Sequence, residues 1–130
     1  MPRSILVVDD AENTRGILSF LLKNKGYVVT VATDGQEALD HLNGGTPDLV
    51  VLDAMMPRVS GYEVCAKIKG DEKTKKVPVI MLTAQQDTAG DTVQRWAPEL
   101  RPDLVMGKPF KIQDLLARIE VLLPFRTGSA

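Results

Sequence analysis

The chain has 130 residues, and 16 lysines and arginines against 17 aspartates and glutamates leave a formal charge of −1. That length suits one domain with its own core, and a charge so balanced offers no footprint for nucleic acid; the densest basic run, Lys73, Lys75 and Lys76, reads as a solvated loop. One cysteine, Cys65, excludes an intramolecular disulfide and a cysteine-rich metal site, and no stretch approaches a membrane span or a signal-peptide core, so a cytoplasmic protein without membrane contact is expected.

Ile5 to Val8 is a short apolar run that ends in Asp9-Asp10. Glu12, Asn13 and Thr14 then offer caps for a helix in which Ile17, Leu18, Phe20, Leu21 and Leu22 recur at helical spacing up to Lys25, and Gly26 stops it. Val28 to Ala32 follows as a strand, Asp34-Gly35 as a turn or cap, and a short helix carries Ala38, Leu39 and Leu42. Gly44-Gly45-Thr46-Pro47 breaks that helix and leads into Leu49 to Leu52, which run straight into Asp53. A run so short and so apolar suits a strand buried on both faces of a parallel sheet. Ser60 to Lys69 reads as a third helix, with Tyr62, Val64, Cys65 and Ile68 as its apolar positions. A charged loop leads to Val77–Leu82, a fourth strand ending in Thr83-Ala84. Thr88 to Trp96 is a weaker helix that Pro98 ends by about Ala97. Leu104 to Met106 is a short fifth strand before Gly107-Lys108-Pro109, and Ile112 to Leu123 closes the domain as a fifth helix. The domain is expected over 1–124, with 125–130 a flexible tail or the start of a linker.

Five strands alternating with five helices define an α/β class with a parallel sheet, and right-handed crossovers favour a doubly wound arrangement in the order 2-1-3-4-5. In that order the switch point lies between strands 1 and 3, so Asp9, Asp10 and Asp53 converge in one crevice, with Thr83 beside them and Lys108 beyond. Three carboxylates about 5 Å apart repel by about 3 kcal/mol per pair at an effective dielectric near 20. A hard divalent ion removes that strain, and oxygen ligands of this kind suit Mg²⁺, with Mn²⁺ able to substitute. Such a cluster is suited to phosphoryl transfer: Asp53 is a carboxylate nucleophile, Thr83 a hydrogen-bond donor, Lys108 a counter-charge, and Ala84 small enough to leave access.

The stretches VVDDAENTR, VATDGQEAL, PDLVVLDAMMPRVSGYE, VPVIMLTA and GKPF resemble the receiver domain of two-component response regulators over about Ser4 to Leu123. The resemblance implies the (βα)5, flavodoxin-like fold and phosphorylation of Asp53 by a sensor histidine kinase or phosphotransfer protein. It implies that Asp10, Asp53 and the Met55 carbonyl ligate Mg²⁺, that Asp9 acts mainly through a water, and that Thr83 and Lys108 hold the phosphoryl oxygens. It also implies a cis bond between Lys108 and Pro109. Output would run through a downstream protein target or an attached domain, a homodimer being among the assemblies it allows.

Two features depart from the family. Val105 stands where the family usually carries an aromatic that reports phosphorylation, so that version of the switch cannot operate. Trp96 to Asp103, WAPELRPD, replaces a short Gly-Ala turn, remodels the face formed by the last two helices and fifth strand, and is stiffened by two prolines. Trp96 reads as a core or helix-end anchor, Cys65 as buried and inert, His41 as exposed, and Met55 and Met56 as packing residues. Met55, with Gln85, also flanks the position where family members tune aspartyl-phosphate lifetime. A switch module rather than a turnover enzyme is expected. The alternatives are a pseudo-receiver that binds partners constitutively and a Mg²⁺ phosphohydrolase, which would need a carboxylate where Met55 stands. Flavin or nucleotide binding is disfavoured because no phosphate-binding loop follows strand 1.

Overall fold

Five parallel strands form one sheet in a computed structural model that describes residues 3–56, 59–84, 98–108 and 110–123, with the backbone alone at Ala84 and Lys108. The strands are β1 (Ser4–Val8), β2 (Val28–Ala32), β3 (Leu49–Asp53), β4 (Val79–Ala84) and β5 (Leu104–Lys108), and their order is β2-β1-β3-β4-β5. This is the order expected from the sequence. The described helices are α1 (Glu12–Asn24), α2 (Gly35–Gly44), α3 (Gly61–Gly70) and the C-terminal α4 (Ile112–Leu122). The expected Thr88–Trp96 helix, the Trp96 anchor, Gln85, Pro109 with its peptide bond, and the tail from residue 124 lie outside the described residues.

The apolar runs become strands because the sheet is covered on both faces, and strand side chains alternate between them. Val50 and Leu52 join Leu6, Val8, Val79 and Met81 on the face packed by Ala38 of α2 and Val64, Cys65 and Ile68 of α3. Leu49 and Val51 join Ile5, Val7, Ile80 and Leu82 on the opposite face, under Leu18 and Leu22 of α1 and Leu115 and Ile119 of α4. Every residue of β3 is buried. At the sheet edge β2 is mostly exposed, with Val28 and Val31 open to solvent.

The first helix corrects two expectations. Its N-cap is Ala11, which makes no side-chain cap bond, so Glu12, Asn13 and Thr14 lie inside the helix rather than capping it. Ile17 and Phe20 are exposed, at 51% and 64%, because Leu18 and Leu22 already define the buried stripe and a 3.6-residue period turns position 20 to the opposite side. Its end is as expected: Gly26 adopts φ 96°, Tyr27 N–H bonds the Leu22 carbonyl at 3.2 Å and Gly26 N–H that of Lys23 at 3.0 Å, the paired closure a left-handed glycine permits. At α2 and α3 the caps are side chains, Asp34 accepting from Glu37 N–H and Ser60 from Glu63 N–H.

The part of the altered link that is described docks on α3. Pro98–Leu100 forms a single 3₁₀ turn, and the buried Cys65 thiol lies 3.7 Å from the Leu100 carbonyl. Burial pushes that thiol up to about 12, with Asp103 adding to the rise and Lys69 opposing it. An unreactive, buried Cys65 is what the sequence suggested. Lys69, at the end of α3, is also buried, and its Nζ donates to the Val77 carbonyl at 2.8 Å and to Asp103 Oδ2 at 2.7 Å. The same Asp103 oxygen accepts the Val79 N–H at 2.7 Å, so one carboxylate ties α3 to the start of β4. Asp103→Ala leaves a buried ammonium without its counter-charge and strips Val79 N–H of this acceptor. It should cost about 3 kcal/mol, read as a lower urea midpoint. Glu72→Ala, which breaks the exposed pair with Lys75, should change stability by less than about 1 kcal/mol.

Candidate functional site

Because α1 covers one face of the sheet and α3 the other, the chain leaves β1 and β3 in opposite directions and opens a crevice between their C-terminal ends. Asp9 and Asp10 follow β1, and Asp53 is the last residue of β3. Their carboxylate oxygens lie within 4.8 Å of one another. Asp9 is 1% exposed and Asp53 4%, while Asp10 faces solvent. Two buried carboxylates and one open to water form a hard, all-oxygen donor set with solvent on one side, which fits an ion such as Mg²⁺ that keeps part of its hydration shell. Receiver domains in general bind Mg²⁺ at an acidic pocket of this kind.

The two buried acids are held by hydrogen bonds to backbone groups. Asp9 N–H bonds the Ala32 carbonyl at 3.2 Å, Asp9 Oδ1 accepts the Ala11 N–H at 2.8 Å, and the Asp9 carbonyl accepts from Arg15 Nη1 at 2.8 Å. Asp53 Oδ1 accepts the Met55 N–H at 3.2 Å. The next residue, Ala54, bonds the Leu82 carbonyl at 2.8 Å and accepts the Gly61 N–H at 3.0 Å, which draws the start of α3 against the end of β3.

Thr83 is buried near the end of β4, one residue beyond Leu82, the register partner of Asp53. The backbone of Lys108 pairs with Ala84 at the end of β5, so the strand-end placement expected for it holds, while its side chain lies outside the described residues. Met56 is buried as expected, but Met55 is 59% exposed and is not a packing residue. Its amide is committed to Asp53, so the side chain is turned out at the rim. His41 is exposed.

Three residues were not given a part in positioning the site from the sequence, Gly35 having been read as a turn or cap. A Cβ on Gly61 would lie 2.1 Å from the Asp53 carbonyl oxygen and 2.7 Å from Ala54 Cα, so only glycine lets α3 approach this closely. A Cβ on Gly35 would lie 2.3 Å from the Val59 carbonyl, which sets α2 against the loop between β3 and α3. Arg15 holds the Asp9 carbonyl. The glycines had one available signal, a glycine in the opening turn of a helix that follows a short loop, where propensity alone disfavours it.

A five-stranded doubly wound sheet with three acids at its switch point is the arrangement expected of a receiver domain, and comparison with known proteins agrees. The model of the response regulator receiver domain matches residues 5–120, and the chain belongs to that family. Response regulator MprA of Mycolicibacterium vanbaalenii is 42% identical over 125 residues, covering 95% of this chain and 51% of MprA. The alkaline phosphatase synthesis transcriptional regulatory protein PhoP of Bacillus subtilis is 37% identical over 123 residues, covering 95% of this chain and 49% of PhoP. The chain thus spans about half the length of the curated relatives it matches. Among solved structures, the signal receiver domain of a histidine kinase from Syntrophus aciditrophicus superposes with a TM-score of 0.84 at 31% identity, covering 98% of this chain and 96% of that one. Response regulator TrrA of Thermotoga maritima, solved with Mg²⁺ and BeF, gives 0.79 at 36% identity, covering 93% and 99%. Among the described residues no helix is long and apolar enough to cross a membrane.

The close approach at Gly61 can be tested against a glycine with room. Gly61→Ala must push α3 off the Asp53 backbone and should lose about 1–3 kcal/mol. Gly16→Ala, inside α1 with nothing within 4 Å of its added carbon, should gain about 0.5–1 kcal/mol. Thermal melts of the two variants should therefore move in opposite directions.

Proposed function

We propose that this domain is a phosphorylation-dependent switch that takes a phosphoryl group from a phosphohistidine, on a sensor histidine kinase or a phosphotransfer protein, onto Asp53. The convergence of Asp9, Asp10 and Asp53 at the switch point, with Asp53 buried at a strand end, carries this reading. A carboxylate oxygen of Asp53 forms the new O–P bond as the N–P bond to the imidazole breaks, and the imidazole leaves with that electron pair. Asp10, Asp53 and the Met55 carbonyl would hold Mg²⁺, with Asp9 acting through a water; Mn²⁺ can substitute. When bound, the ion neutralises charge on the phosphoryl oxygens. The Thr83 hydroxyl donates a hydrogen bond to one of those oxygens, and the Lys108 ammonium balances another. The domain takes one phosphoryl group per signalling event and is not a turnover enzyme.

The setting is the cytoplasm, and output runs through contact with another protein or an attached domain. Half-exposed Val105 cannot act as an aromatic reporter, and a pseudo-receiver that binds partners constitutively is the second reading that this residue favours. Incubation with acetyl phosphate or beryllofluoride and Mg²⁺ separates the two. Label should appear in the folded wild type and vanish in Asp53→Asn; a folded wild type that takes no label would leave the pseudo-receiver. Met55 offers no polar group to orient an attacking water, so the acyl phosphate should be long-lived. Phosphate release should then quicken several-fold in Met55→Asn, and an unchanged time course would remove Met55 from the control of lifetime.

A further inference from the structure

We propose that Arg15 is a positioning residue for the acidic site, holding the Asp9–Asp10 peptide so that both carboxylates meet Asp53. The inference rests on the phosphoacceptor reading above and adds a residue that acts on the site without being a ligand in it.

The argument starts where β1 ends. Val8 is its last residue, and the Asp9 N–H still bonds the Ala32 carbonyl of the neighbouring strand. Only Asp10 and Ala11 separate that tie from the first residue of α1, Glu12, so the chain turns from strand to helix within two residues. No side chain caps the helix at Ala11. Two bonds hold the turn instead, one at each end of Asp9: its carboxylate takes the Ala11 N–H at 2.8 Å, and its carbonyl takes Arg15 Nη1 at 2.8 Å.

Arg15 is itself anchored, since its amide bonds the Ala11 carbonyl at 3.1 Å in the first turn of α1. The guanidinium thus reaches back from a rigid element and fixes the carbonyl of the peptide that joins Asp9 to Asp10. Rotation about the Asp9 Cα–C bond would swing this carbonyl away and carry the Asp10 Cα and its carboxylate with it. Asp10 is exposed, so packing does little to hold it, and repulsion from two buried carboxylates favours its turning out into water. A charge-assisted bond to the Asp9 carbonyl opposes that movement. Outer residues that orient ligands in this way commonly change metal affinity by about 10–100-fold when removed.

The test is Mn²⁺ binding to the unphosphorylated full chain, read from the free Mn²⁺ signal in electron paramagnetic resonance in solution at room temperature. Arg15→Met keeps the apolar stem but has neither donor nor charge, and should bind Mn²⁺ about 10-fold or more weakly than wild type. Arg15→Lys, with a donor and a charge, should recover part of the loss. At saturating Mn²⁺ the acetyl phosphate labelling rate of Arg15→Met should approach that of wild type, because Asp53 and Thr83 are untouched. A merely structural Arg15 would lower the melting temperature in EDTA and leave Mn²⁺ affinity in the folded protein unmoved. Equal affinities for wild type and Arg15→Met, or no recovery with Lys, would overturn the proposal. If Arg15→Met does not fold, Arg15→Gln, whose shorter side chain cannot reach the carbonyl, carries the same comparison. A wild type that binds no Mn²⁺ would overturn the phosphoacceptor reading itself, and this inference with it.

Discussion

Three negative charges with oxygens inside 4.8 Å set the terms for the rest of this fold. Left to themselves they would separate, and two of them are buried where water screens them least. What keeps them together is backbone. β1 and β3 are hydrogen-bonded neighbours, buried on both faces, and neither can shift without disturbing two apolar layers. The platform is rigid because it is apolar, and it can therefore hold charge at its rim.

The opposite edge of the sheet is organised by a different balance of charge. There Lys69 is buried but satisfied, and Asp103 serves both its ammonium and the first amide of β4. β4 is consequently pinned at its start by an ion pair, while its end brings buried Thr83 to the level of the acids. The described part of the altered link lies on α3, with Leu100 over Cys65 and Asp103 on Lys69.

The strands, their order and the acidic crevice were legible because they depend on patterns a sequence displays directly. Leu49 to Asp53 reads as a doubly buried strand with a charge at its end, and it is one. Helix faces were less legible where apolar residues outnumber the space available: Ile17 and Phe20 match the period of α1 yet lie outside its buried stripe. Met55 misled in a similar way, since methionine suggests packing, but a backbone bond to Asp53 decides where that residue sits. The contributions of Gly61, Arg15 and the Lys69–Asp103 pair were not legible at all. They depend on how the chain folds back on itself, across a short turn for Arg15 and Gly61 and over 34 residues for Lys69 and Asp103, and periodicity carries no such information.

The Lys69–Asp103 pair also constrains how this sequence can drift. The two partners are not equivalent, since the lysine side chain is 7% exposed and the aspartate 39%. Replacing Lys69 first leaves a carboxylate that still reaches water and still accepts from Val79. Replacing Asp103 first strands a buried cation, the costly half of a broken pair. An evolutionary path from this ion pair to an apolar contact therefore has a preferred order, lysine before aspartate, and descendants caught midway should more often retain the acid than the base.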